Sequence, residues 1–225
     1  DVVALNRSLD DLSTRRVIDP RLDAAAAELA AERGFTPFVD IAYQGLGNGL
    51  DQDAYGLRVL AEKVPELIVA SSCSKNFGLY RERVGAISVI ATTPARADVI
   101  HSQILNIARG LYSMPPSHGS GIVMTILTDT DLRAHWIQEI TAMRDRLNDL
   151  RETFAAKMRE KNSPRRFDFI EDERGLFSFL GITKKQIHTL REEYSIYMVE
   201  SSRINIAGIS HKNVDYVTDA LISVL

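Results

Sequence analysis

Short apolar runs alternate with stretches in which apolar residues recur every three or four positions. Such alternation predicts buried strands separated by amphipathic helices. Asp19-Pro20 followed by Leu22 to Arg33 reads as a capped, Ala-rich helix, closed by Gly34. Phe35 to Tyr43 reads as a buried strand, and Gly45 to Gly49 as a loop. Asp53 to Lys63 is expected to be a helix. Leu67 to Ala70 is a second strand, ending in the polar cluster Ser71 to Lys75, and Val84 to Ala91 is a third. This order predicts an α/β sheet layered with helices.

Downstream, Arg96 to Ala108 reads as a helix, Pro115-Pro116 breaks the chain, and Gly119 to Leu127 is helical again. From Asp131 to about Lys161, Leu132, Ile137, Ile140, Met143, Leu147, Leu150 and Phe154 fall mostly at helical spacings. They predict one long amphipathic helix, able to join two domains. Beyond it, Phe167 to Ile170 and Gly175 to Leu180 read as strands and Lys184 to Tyr194 as a helix. Ile196 to Val199 and Ser202 to Ile206 read as short strands, and Asn213 to Leu225 as a helix. The expected division is a larger portion, residues 1–135, followed by the long helix and a smaller α+β domain, residues 136–225.

Composition narrows the function classes. Hydrophobic residues make up 45% and charged residues 25%, as in ordinary soluble domains. A net charge of -3 and a pI of about 6.0 argue against a general nucleic-acid binder. Cys73 is the single cysteine, which excludes an internal disulfide and permits a reducing compartment. No apolar stretch is long enough to span a membrane. The opening residues lack the basic and apolar regions of a signal peptide, and also an initiator Met. A cytoplasmic location is the resulting expectation.

The chemistry concentrates in Ser71-Ser72-Cys73-Ser74-Lys75-Asn76-Phe77-Gly78-Leu79-Tyr80-Arg81-Glu82-Arg83-Val84-Gly85. A lysine follows a buried strand among small hydroxyl residues, with an arginine eight positions on. Lysine forms Schiff bases with carbonyl groups, and serine hydroxyls and a guanidinium fork bind phosphate. An isolated Ser-x-x-Lys would more often be a solvated loop. The whole run, however, resembles the cofactor-lysine motif of the aspartate/aromatic aminotransferases. Phe38-Val39-Asp40-Ile41-Ala42-Tyr43-Gln44-Gly45 resembles that family's strand bearing an aspartate and a tyrosine for the cofactor. Ala108 to Gly119 resembles its subunit-interface segment. Gly175 to Phe179 and Ser202 to Gly208 resemble its small-domain landmarks, in the family's order. The resemblance runs from about Asp19 to Leu225.

That resemblance implies the pyridoxal-phosphate-dependent transferase fold of type I: part of the large mixed-sheet domain, then a smaller α+β domain. It implies pyridoxal 5'-phosphate (PLP) as cofactor and Lys75 as its Schiff-base residue and proton shuttle. Asp40 would pair with the pyridine nitrogen, keeping the ring an electron sink. Tyr43 would donate to the phenolic oxygen. Ser72 and Arg83 would hold the phosphate, with help from Ser74. Arg203 would grip the substrate α-carboxylate, and Arg109 would reach a distal carboxylate from the partner subunit of a homodimer. The implied substrates are an amino acid (aspartate or glutamate, with aromatic ones not excluded) and a 2-oxo acid.

Plainer readings are kept for other features. Cys73 reads as a small packing residue, His118 as part of a turn and Trp136 as packing. The five histidines show no metal spacing, so no metal is expected. The family's large N-terminal portion has no counterpart here, nor has its Asn-Pro-Thr-Gly turn; Leu9 to Asp19 reads LDDLSTRRVID. Three functions therefore compete. The first is transamination. The second is a truncated, catalytically impaired chain that binds PLP weakly or only associates with a partner. The third is another PLP reaction on the same fold, such as a lyase or β-decarboxylase reaction.

Overall fold

The computed structural model describes residues 20–225, with side chains from Ala24 onward. Asp19 and the stretch before it lie outside the described residues. The rest of the chain forms two compact units, one ending at Thr141 and the other running from Ala142 to Leu225.

The first unit is built on a three-stranded mixed sheet in the order β1-β2-β3. Helix α1 (Pro20–Arg33) leads into β1 (Phe38–Ile41), and α2 (Tyr55–Lys63) into β2 (Leu67–Ser72). β1 and β2 are parallel, with Asp40 level with Ala70. β3 (Gly85–Ile90) returns antiparallel, with Gly85 level with Ser72. The C-terminal ends of β1 and β2 and the start of β3 therefore lie at one end of the sheet.

The helices cover the sheet through small and branched side chains. Ala30, Val64, Leu67 and Val69 form a buried cluster, with Phe35, Val39, Ile41, Leu57, Leu60 and Ala61 packed around it. Gly34, at φ +69°, ends α1 in the left-handed conformation that favours glycine. At the start of β3 a Cβ on Gly85 would lie 2.5 Å from the Ser71 carbonyl oxygen, so only glycine permits this approach.

Two helices follow, α3 (Pro94–Tyr112) and α4 (His118–Thr128). Thr93 caps α3 by accepting from the Arg96 N–H, and the helix extends one turn past its expected end. None of its residues is buried. The predicted long helix is α5 (Thr130–Glu160). Ile140, Leu147, Leu150 and Phe154 are buried as the periodicity predicts, whereas Leu132, Ile137 and Met143 stay exposed.

In the second unit, α5 packs through Phe154, Ala155 and Met158. A two-stranded antiparallel sheet pairs β4 (Phe177–Phe179) with β5 (Arg203–Asn205). Helix α7 (Lys184–Tyr194) opens on a capping box between Thr183 and Gln186. The unit closes with α8 (Val214–Val224).

Two strand expectations are corrected here. Phe167 to Ile170 is not a strand: Ile170 N–H donates to the Phe167 carbonyl, and Phe169–Asp172 forms a short helix, α6. Phe167 and Ile170 are both buried, which is helical spacing rather than alternation. Ile196 to Val199 is not a strand either: it joins no ladder, and the sheet of the second unit consists of β4 and β5.

Candidate active site

Six of the residues singled out from sequence gather at the one end of the first unit's sheet where β1 and β2 finish and β3 begins. Ligands in open α/β sheets bind outside the carboxyl ends of strands, where connecting loops supply side chains from several elements. Asp40 stands on β1, one residue before its end, and Tyr43 lies two residues beyond it. Ser72 ends β2, Ser74 and Lys75 lie in the turn after it, and Arg83 precedes β3.

The Lys75 ammonium lies 4.6 Å from the centre of the Tyr43 ring. It has no hydrogen-bond or ion-pair partner among the described residues. Asp40 is exposed, and its carboxylate likewise has no partner among them. Ser72 Oγ donates to Ser74 Oγ at 3.1 Å and accepts from the Ser74 N–H at 3.2 Å. Cys73 N–H donates to the Val84 carbonyl, tying this turn to the segment before β3. Burial pushes the Cys73 thiol up from its ordinary value, which keeps it a neutral, weak nucleophile.

Arg83 adopts φ +53°, an uncommon left-handed conformation for a residue other than glycine. Its guanidinium donates once, to the Tyr80 carbonyl at 3.1 Å, and its other N–H groups have no protein partner among the described residues. Beside it, Glu82 and His118 Nδ1 are 3.0 Å apart. Gly119 packs directly against Val84 and Glu82, where a Cβ would collide with both. His118, the first residue of α4, thus meets Glu82 across 36 residues rather than bonding within its own turn.

The two loops of the site are pinned. The Asp53 carboxylate accepts from the backbone N–H groups of Gly45 at 2.7 Å, Gly47 at 3.0 Å and Asn48 at 2.8 Å. These bonds fold the loop that follows Tyr43. Asn76, 9% exposed, donates from Nδ2 to the Gln44 carbonyl at 3.3 Å. Trp136 on α5 stacks on Phe77 with ring centres 4.4 Å apart.

The assembled groups are an amine and a carboxylate, neither with an ion-pair partner among the described residues, a phenol, two hydroxyls and a guanidinium that donates once among them. That set suits a phosphorylated aldehyde carrying a basic ring nitrogen: the amine can condense with the carbonyl, and the hydroxyls and guanidinium can take the phosphate.

Arg109 sits in the last turn of α3, exposed, and its guanidinium has no hydrogen-bond or ion-pair partner among the described residues. Arg203 belongs to the second unit. It starts β5 opposite Phe179, and its guanidinium lies 4.5 Å from the centre of the Phe177 ring. Ser202, before it, takes φ +69° with only 4% exposure. Its hydroxyl accepts from the Ile182 N–H and its carbonyl from the Leu180 N–H, both at 2.9 Å.

Residues 21–221 match the family model for aminotransferase class I and II. The chain belongs to this family. Its similarity to the aspartate aminotransferase of Haemophilus influenzae is 47% identity over 88% of the chain and 50% of that relative. With the aromatic-amino-acid aminotransferase of Paracoccus denitrificans it shares 42% identity, over 89% of the chain and 51% of the relative. A crystal structure of an aromatic-amino-acid aminotransferase from Burkholderia pseudomallei, covalently bound to pyridoxal phosphate, superposes with a TM-score of 0.90 at 38% identity. It covers 95% of this chain, which covers 55% of it. The expected type I fold is thus established for this chain. The chain spans about half the length of the relatives it matches.

Three residues of the chain carry more than the sequence alone suggested. Trp136, read as packing, also donates a hydrogen bond. Asp53 was read only as the start of a helix; an acidic residue just after a glycine-rich loop was the available signal. Arg151 was passed over, although it falls four positions from Leu147 and three from Phe154, on the apolar stripe of α5. It is fully buried, and donates to Ser178 Oγ at 2.6 Å and to the carbonyls of Gly175 and Phe177 at 2.8 and 2.9 Å.

Proposed function

We propose that this chain carries out PLP-dependent transamination between an L-amino acid, aspartate, glutamate or an aromatic one, and a 2-oxo acid. The observation that carries the reading is the Lys75 amine, without a carboxylate partner among the described residues and beside Tyr43, at a sheet end that also gathers Asp40, Ser72, Ser74 and Arg83. Family membership and the pyridoxal phosphate bound to the Burkholderia relative support it.

When bound, PLP supplies a conjugated ring that stabilises negative charge at the substrate α-carbon. Lys75 would hold the aldehyde carbon through its amine and, once released, carry the proton from the substrate Cα. The Asp40 carboxylate would keep a proton on the ring nitrogen. Tyr43 would donate its phenolic hydrogen to the ring oxygen. Ser72, Ser74 and the free N–H groups of Arg83 would bind the phosphate. Arg203 would take the α-carboxylate by paired hydrogen bonds, and Arg109 a distal carboxylate across a homodimer. The bare surface of α3, with Leu111 75% and Met114 77% exposed nearby, supports association.

The test is an absorbance titration of the chain with PLP beside a Lys75→Ala control. The expected result is a Lys75-dependent band that aspartate or glutamate bleaches, with the amino group then transferred to an added 2-oxo acid. A folded chain without such a band would overturn the proposal in favour of a non-catalytic role. Amine loss without transfer would favour another PLP reaction.

A further inference from the structure

We propose that Trp136 is a positioning residue for Lys75, a role that rests on Lys75 being the cofactor lysine. Its indole Nε1–H donates to the main-chain carbonyl of Asn76 at 2.8 Å, the residue directly after Lys75. The indole also stacks nearly parallel on Phe77, the next residue, with 11° between the ring planes. Asn76 in turn reaches the Gln44 carbonyl in the Tyr43 loop. Gly78, at φ +67°, closes the turn by donating to the Lys75 carbonyl at 3.1 Å.

A lysine side chain has four rotatable carbons and locates its amine poorly unless its backbone is held. Among the described residues the amine of Lys75 has no hydrogen-bond or ion-pair partner and lies over the Tyr43 ring, so the location of its backbone decides where it can react. Trp136 supplies two of the constraints on that backbone. Space-filling alone would need only an apolar ring. The indole N–H adds a directional bond in a half-buried place, and that bond fixes the Asn76–Phe77 peptide plane, one residue beyond Lys75.

Trp136→Ala removes ring and donor, and Trp136→Phe keeps a ring without the donor. The readout is borohydride trapping of PLP on Lys75, followed by peptide mass spectrometry across pH, with the exposed Lys185 as internal control. Trp136→Ala is expected to slow trapping at Lys75 on the order of tenfold and to move its pH profile, because reactive geometry is sensitive to small displacements. Lys185 keeps its rate, and Trp136→Phe falls between. Unchanged Lys75 rate and pH profile in both folded variants would overturn the proposal.

A wild-type chain that traps no PLP at Lys75 would overturn the cofactor assignment instead. Competitive acetylation of the Lys75 amine without cofactor would then still report positioning, and identical profiles in wild type and variants would overturn it. If neither variant folds, the wild-type chain decides. Trp136 is the sole tryptophan, so its emission must change when Lys75 is trapped and stay unchanged in Lys75→Ala. No change on trapping would overturn the proposal.

Discussion

Arg151 and Glu173 face each other at 3.4 Å with 0% and 4% of their side chains exposed. Burial pulls the Arg151 guanidinium down to about 10, against the opposing pull of Glu173. The pair secures the turn into β4, the strand that pairs with Arg203. Removing Arg151 takes its guanidinium away from a carboxylate that is 4% exposed and from the Ser178, Gly175 and Phe177 acceptors. Arg151→Ala is therefore expected to destabilise the chain by about 3–5 kcal/mol. Glu173→Gln, which keeps an acceptor, should cost less. Urea unfolding of both variants checks the order; equal, small losses would show that the pair is dispensable.

Gly85→Ala should also be costly. The new methyl would meet a backbone oxygen, Ser71 O at 2.5 Å, which has no rotamer by which to move aside. A loss of about 1–3 kcal/mol is expected, as for other overpacked sites. Because Gly85 lies level with Ser72, the same variant should weaken PLP binding. Thermal unfolding with and without PLP separates the two effects.

Asp53 holds three backbone amides of the loop after Tyr43. Asp53→Ala removes the carboxylate acceptor shared by all three, at an expected cost of about 1–3 kcal/mol. Amide hydrogen exchange should rise at Gly45, Gly47 and Asn48 before it rises in β2. Protection unchanged at those three positions would contradict this account of the loop.

Acid should act on surface pairs of the second unit. Hydrogen bonds from Arg159 and Arg166 hold Asp168 below its ordinary value of 3.8, and those from Lys157 and Lys161 do the same for Asp215. A carboxylate whose folded pKa is depressed contributes stability above the unfolded value and loses it as pH falls through the folded one. Their contribution should therefore persist down to about pH 4 and disappear below it. The side chains are exposed, so salt should weaken it. The double variant Asp168→Asn, Asp215→Asn is expected to lose less stability than wild type on acidification below pH 3.8.

The sequence was enough for features that are local. A strand, a polar turn and the next strand are contiguous in the chain, so Lys75 with its serines and Arg83 could be read together. The same holds for Asp40 and Tyr43, and for α7 between its cap and Tyr194. Apolar runs of four residues were ambiguous. Phe167 to Ile170 became a helical turn because both ends are buried on one side. Ile196 to Val199 stayed unpaired because a strand exists only with a partner, and partners are not written locally.

Tertiary structure alone decided what holds the turn after β2 and the strand β4. Trp136 meets Asn76 across 60 residues, and Arg151 meets Ser178 across 27. Neither contact has a period or a spacing to betray it. It also decided that Leu132, Ile137 and Met143 stay exposed on α5 although they share the spacing of the buried positions. Periodicity marks a face of a helix; only the arrangement of the other elements determines which parts of that face are covered.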